Sequence, residues 1–156
     1  MKLYCFGESG HSYKAALALQ LAEIDWTPIF VDFFNGETRS DQYRNQVNEM
    51  GEAPVLVDGD IKLTQSGVIQ NYLFNKTGKH GGRNEAEKLE ILRWILWDNH
   101  KLSSFAGNTR FLMNFFPQDK RPQPVIDFNL ARLKGSYGIL EKALIGKDFL
   151  VGDDIT

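Results

Sequence analysis

The stretch Gly78-Lys-His-Gly-Gly-Arg-Asn84 divides this chain into two parts that follow different rules. Three glycines in seven residues do not readily continue a helix, and the apolar pattern lapses across them, so the stretch reads as a linker. Ahead of it, short aromatic and β-branched runs alternate with an Ala- and Leu-rich one. Behind it only helical spacing is found. The expected organisation is a first domain over residues 1–77, a linker over 78–84 and an all-helical domain over 85–156.

In the first part, Lys2–Phe6 and Thr27–Phe33 have strand composition, and Ser12–Glu23 between them has that of a helix. Tyr13, Ala16, Leu17, Leu21 and Ile24 fall on one helical face. Ala15, Ala18, Leu19 and Ala22 make the other nearly as apolar, so burial on both sides is expected. A polar stretch, residues 35–48, comes next. Pro54-Val-Leu-Val57 and Ile61-Lys-Leu-Thr64 then flank Asp58-Gly59-Asp60, which is hairpin chemistry, so these two strands are expected to be antiparallel neighbours. Ser66 is a natural N-cap for a helix carrying Ile69, Tyr72, Leu73 and Lys76 and ending near Thr77-Gly78. The order is βαβ followed by ββα.

In the second part, Asn84 with Glu87 resembles a capping box and opens a long helix. Leu89, Leu92, Ile95 and Leu96 are expected inward, with Trp94 and Trp97 beside them. After a break at Pro117–Pro124, the residues Ile126, Leu130, Leu133, Tyr137, Leu140 and Leu144 keep a 4-3-4-3-4 spacing on one face. The fold class is therefore α/β followed by all-α.

A net charge of −2 and a pI near 5.9 give no electrostatic footprint for nucleic acid or for an anionic membrane. No apolar run approaches a bilayer span, and the N-terminus lacks the basic head and apolar stretch of a signal peptide, so a cytoplasmic protein is expected. The single cysteine, Cys5, rules out an internal disulfide and any multi-cysteine metal site. His11, His80 and His100 lack metal-ligand spacing, so no metal is expected.

Three features carry chemistry. Ala53-Pro54 leads directly into a strand, and a proline there implies an edge position or a turn, a cis bond included. A cis bond would leave the Ala53 N–H and C=O facing outward, ready to pair with an extended peptide. Gln65-Ser66 at a strand-to-helix junction offers an amide, a hydroxyl and free backbone N–H groups, which suit an amino-acid head group. Ser66 capping its own helix is the plainer explanation, and both can hold together. The loop Gly7-Glu-Ser-Gly-His-Ser12 lies at the carboxyl edge of the sheet, where ligands sit in α/β folds. There Ser12 reads as the N-cap, leaving Ser9 without so simple a structural duty and Ser12 as its alternative in catalysis. His11 stands evenly between a site role and a plain surface loop.

With these residues in place, the chain resembles the cytosolic glutathione transferases, chiefly in Gly51-Glu-Ala-Pro-Val-Leu-Val57 and Leu63-Thr-Gln-Ser-Gly-Val-Ile69. Glu8-Ser-Gly-His-Ser-Tyr-Lys14 looks like the serine-type members, and Arg93-Trp-Ile-Leu-Trp97 is similar to the helical domain of bacterial ones. The resemblance implies a thioredoxin-like N-terminal domain and an all-helical C-terminal domain. It implies an enzyme that activates glutathione, its co-substrate, for attack on a small hydrophobic electrophile, and a homodimer. Ser9 would face the sulfur, Ala53 and Pro54 would receive the cysteinyl unit, Gln65 and Ser66 would hold the γ-glutamyl group, and His11 would lie within contact. A non-catalytic binding or scaffold protein of the same fold is the alternative, as is a glutathione-dependent isomerase, dehalogenase or peroxidase. Glu52 stands where some relatives carry Gln or Lys near the glycyl end, and an acid there would repel a carboxylate. Val151-Gly-Asp-Asp-Ile-Thr156 stops where relatives begin a further central helix. The helical domain is thus expected to be partial, with the Leu130–Leu144 face open to water or covered by dimerisation.

Overall fold

The computed structural model describes residues 1–156 and divides between Lys79 and His80 into two compact units. The first contains β1 (Lys2–Cys5), α1 (Gly10–Leu21), β2 (Thr27–Phe30), a short α2 (Asp41–Gln46), β3 (Val55–Asp58), β4 (Ile61–Thr64) and α3 (Ser66–Thr77). Its strands form one mixed sheet in the order β2-β1-β3-β4. Strand β1 runs parallel to β2 and antiparallel to β3, and β3 runs antiparallel to β4. A parallel pair needs a crossover, and α1 supplies it. Asp58 pairs with Ile61, so the hairpin loop is Gly59-Asp60, with Gly59 at a φ of 59° that glycine adopts without steric cost. This is the expected thioredoxin-like arrangement.

Leu3 and Leu56, opposite one another on β1 and β3, are fully buried with Ala15 and Leu19 of α1 and Ile69 and Leu73 of α3. The expectation that α1 is buried on both sides is not met. Ser12, Ala15, Ala18, Leu19 and Ala22 are buried, whereas Tyr13 is 64% exposed and Leu17 40%. The small alanines let α1 approach the sheet and α3 closely, and the bulkier side chains of the opposite face are left outside. The polar stretch also holds structure of its own. A turn of 3₁₀ helix, Glu37–Arg39, precedes α2, whose N-cap Ser40 accepts from the Tyr43 N–H at 3.1 Å. Helix α3 ends on Gly78 at φ 68°, an αL cap.

The second unit is all-helical. Helix α4 (Glu85–Trp97) runs through one π-helical turn, Asp98–Leu102, into α5 (Ser103–Asn114), and α6 (Gln123–Leu144) packs on α5. The Asn84 Oδ1 accepts from the Glu87 N–H at 3.0 Å, as a cap should. The Glu87 carboxylate reaches instead to the Arg83 N–H at 2.7 Å, one residue before the cap. The inward face of α4 differs from the expected one. Ile91 is the buried position, while Leu89, Leu92 and Leu96 are exposed. In α6, Ile126 and Leu133 are buried with Asn129 and Ser136, but Leu130 and Tyr137 are exposed, so the apolar spacing straddles the boundary between the faces. No helix is long and apolar enough to cross a membrane.

Candidate functional site

The carboxyl end of β1 leads through Phe6 and Gly7 into Ser9, which takes an extended conformation (φ −82°, ψ 115°) and caps α1. Its Oγ accepts from the Ser12 N–H at 3.1 Å, and its carbonyl accepts from the Tyr13 N–H at 2.9 Å. The capping role therefore falls to Ser9 and not, as expected, to Ser12. Ser9 is the cap, and Ser12 is packed inside, 3% exposed, with its hydroxyl unpartnered. Capping uses a lone pair of Ser9 Oγ and leaves its proton free, so a half-buried Ser9 can cap the helix and donate outward together.

Ser66 likewise takes a different place from the expected one. The cap position of α3 belongs to Gln65, held at φ 65° and making no side-chain cap bond. A non-glycine residue in that region is uncommon and points to a position over-determined by its surroundings. Ser66 is the first helical residue, buried, with its Oγ 3.1 Å from His11 Nδ1. This hydrogen bond joins the first turn of α1 to the start of α3, 55 residues away in sequence. His11, Ser9, Gln65 and Ser66 thus share one edge of the sheet.

The Ala53–Pro54 bond is cis. The β3 register begins at Val55, opposite Tyr4 and Thr64, so Ala53 lies just beyond the paired ladder. Glu52 presents its carboxylate to Gln65, accepting from Nε2 at 2.8 Å. The Glu52 carbonyl accepts from Tyr43 Oη at 3.0 Å and from Asn48 Nδ2 at 2.8 Å. Tyr43 and Asn48 are each only 2% exposed, so the loop hangs on two buried donors. Sequence reasoning missed both; the signal available was an Asn shortly before a glycine turn. Gly51, at φ 68°, has the Thr38 carbonyl 2.8 Å from where a Cβ would stand, so the turn admits only glycine. Burial, aided by the nearby Glu37 charge and Tyr4, pushes the Tyr43 phenol up to about 12. Burial also raises the Cys5 thiol, as befits a strand residue packed against the core.

At the same end of the sheet, Phe6 stacks on Phe33 with ring centroids 4.6 Å apart and planes 6° from parallel. Phe34 meets both rings edge-on, at 6.1 and 5.5 Å. This three-ring wall follows β1 and β2 and adjoins Ser9 in sequence, its Phe6 carbonyl accepting from the Ser9 N–H at 3.2 Å. No three His, Cys, Asp or Glu side chains gather as ligands of a metal ion would.

A thioredoxin-like sheet with a serine loop, a cis-proline before β3 and a buried serine opening α3, followed by a helical unit, is the architecture of the glutathione transferases. Residues 1–75 match the family described as glutathione S-transferase, N-terminal domain. Among curated relatives, glutathione S-transferase 4 of Zea mays is 28% identical over 98% of this chain and 70% of its own length. Glutathione S-transferase F14 of Arabidopsis thaliana is 25% identical over 100% of this chain, which spans 63% of that relative's length. Among solved structures, glutathione transferase F2 of Populus trichocarpa superimposes with a TM-score of 0.87 at 26% identity, over 99% of this chain and 75% of that one. A possible glutathione S-transferase of Rhodopseudomonas palustris gives 0.90 at 26% identity, over 99% and 70%. The first unit of this chain therefore matches the N-terminal domain of the glutathione S-transferases, and the likeness to whole transferases extends over nearly all of the chain.

Proposed function

We propose that this protein is a serine-type glutathione transferase, in which Ser9 donates a hydrogen bond to the glutathione sulfur and stabilises its thiolate. The observation that carries this reading is the His11–Ser66 hydrogen bond, which gathers the Ser9 loop and the α3 start into one edge. Glutathione laid along that edge would pair its cysteinyl backbone with Ala53 beside Pro54 and set its γ-glutamyl head against Gln65, Ser66 and the α3 N-terminus. Related folds support the ligand: Ure2p and a Burkholderia graminis glutathione transferase, each 22% identical, were solved with glutathione bound.

A free thiol titrates near 8.5, and lowering it by about two units stabilises the thiolate by roughly 2.7 kcal/mol. One charge-assisted hydrogen bond from Ser9 together with the α1 N-terminus is of that size. The thiolate then attacks an electrophilic carbon, forming a C–S bond as the leaving group departs with its bonding electron pair, and the Phe6, Phe33 and Phe34 wall favours a flat, apolar electrophile. The protein acts as a homodimer in the cytoplasm under this reading, without metal.

Ser9→Gly tests the proposal better than Ser9→Ala, because glycine removes the hydroxyl while retaining most of the capping preference that alanine loses. Losing a hydrogen bond to a charged sulfur costs about 1.5–3 kcal/mol, or roughly tenfold to a hundredfold in kcat/KM. A Ser9→Gly enzyme with undiminished kcat/KM and an unshifted pH profile would remove Ser9 from catalysis.

A non-catalytic glutathione-binding protein is the second reading, and the cap itself favours it, since a serine required by α1 needs no catalytic reason to be there. Glutathione uptake without turnover of any aryl halide, peroxide or disulfide would decide for it.

A further inference from the structure

We infer that Glu52 is the counter-ion for the α-ammonium of the γ-glutamyl group, which makes it the residue that demands a free amino terminus on the thiol substrate. The inference rests on the glutathione reading above and reverses the expectation that Glu52 repels the glycyl carboxylate. Its basis is placement. The Glu52 carboxylate does not point away from the α3 start; it touches Gln65 Nε2 at 2.8 Å, next to the buried Ser66.

An amino-acid head group carries two opposite charges on one carbon. The α3 N-terminus, with its free N–H groups and positive dipole end, suits the carboxylate and repels the ammonium. Gln65 can hydrogen-bond either group but carries no charge, so it cannot neutralise a cation. Glu52 can. The hydrogen-bond partner of its carboxylate is a neutral amide, which leaves the negative charge to offer to a cation. Its backbone is fixed by the buried Tyr43 and Asn48 donors, which hold the acid beside Gln65 before any ligand arrives. Gln65, locked at φ 65°, then serves as the bridge between the acid and the head group. Carboxylate and ammonium are thereby received by two different elements, α3 and the Gly51–Pro54 turn, and both charges of the zwitterion must be present for full affinity.

Calorimetric titration of the intact wild-type protein and of Glu52→Gln, with three thiols, tests this. The thiols are glutathione, its des-amino analogue glutaryl-cysteinyl-glycine, and glutathione glycinamide, which lacks the charge at the other end. Glutamine keeps the shape and a hydrogen bond to Gln65, and matching thermal melts establish that the variant is folded. The expected result is that wild type binds glutathione about tenfold or more tighter than the des-amino analogue, and that Glu52→Gln loses this preference while treating the glycinamide as wild type does. A Glu52→Gln protein that keeps the full preference overturns the inference. So does one that tightens on glutathione but not on the glycinamide, which would place Glu52 against the glycyl carboxylate. In either case wild-type binding of glutathione leaves the site itself standing, whereas wild type binding none of the three thiols removes the site and the inference together.

Discussion

The two units bury their apolar residues to different depths, and the contrast follows from their building material. In the first unit, Leu3, Ala15, Leu19, Val31, Val55, Leu56, Ile69 and Leu73 all fall to 0% exposure, because a sheet face and two helices close on one another. In the second, the most buried apolar residue is Ile126 at 2%, while Leu89 and Leu96 of α4 stand 67% and 62% exposed. The first unit is thus a closed core with the candidate site at its edge. The second is a set of helices whose apolar residues face two ways.

The largest expected effect breaks or upholds that contrast directly. Leu73→Ala opens a cavity among fully packed side chains and should cost about 2–5 kcal/mol in denaturant unfolding. Leu89→Ala removes a side chain already in water and should stay within about 0.5 kcal/mol. A Leu89 variant as damaging as Leu73→Ala would mean that the α4 stripe is covered in solution, for instance by a second copy of the chain.

Which parts of this were legible in sequence has a physical explanation. The element order, the hairpin and the end of α3 follow from residues with few options, such as Pro54, Gly59 and Gly78. The faces of α1, α4 and α6 were not legible, because each helix carries apolar side chains on both sides. Periodicity identifies the stripes but not which one meets the core; Ala15 and Ala18 win in α1 by being small. The serines misled for a related reason. Ser9 and Ser12, three residues apart, can each cap a helix, and only backbone geometry, extended at Ser9 and helical at Ser12, decides between them. Ala53, Pro54, Gln65 and Ser66 were singled out by their junctions, whereas Tyr43 and Asn48 act from beneath and leave no motif.

A smaller effect probes the polar cost of the second unit's helices. Thr109 Oγ1 on α5 and Asn129 Nδ2 on α6 are buried without hydrogen-bond partners. Each such group costs about 1–3 kcal/mol when desolvated. Thr109→Val with Asn129→Leu should therefore leave the melting temperature unchanged or raise it. A marked fall would show that ordered water satisfies both groups and that the helices depend on it.

The first unit leaves one such group, Ser12 Oγ, unpartnered, but its Asp58 network is matched. Asp58, at the end of β3, accepts from Tyr72 Oη at 2.6 Å and from Lys76 Nζ. Those hydrogen bonds, that from Lys76 the larger, hold its carboxyl below the usual range. A depressed carboxylate contributes stability above its unfolded pKa and loses it as pH falls through the folded value. Asp58→Asn should thus lower the melting temperature at neutral pH and flatten its decline on the acid side. Equal slopes in variant and wild type would leave the Asp58 network without a stabilising role.

The smallest effect lies at the alkaline end and reports on the turn that carries Glu52. The Tyr43 phenol is buried, donates to the Glu52 carbonyl, and is pushed up to about 12. An unfolded tyrosine titrates near 10, so the folded state holds this proton more tightly. The stability linked to it is fully present below the unfolded value and is lost as pH rises from there through about 12. Absorbance titration of phenolate should therefore show one tyrosine ionising late, and Tyr43→Phe should remove that step. The same variant leaves the Glu52 carbonyl with Asn48 alone, at a cost of about 1 kcal/mol. If Glu52 is held in register by this pair, Tyr43→Phe should also weaken glutathione more than it weakens the des-amino analogue. Equal loss for both thiols would mean that Tyr43 supports the fold of the turn without setting the position of its acid.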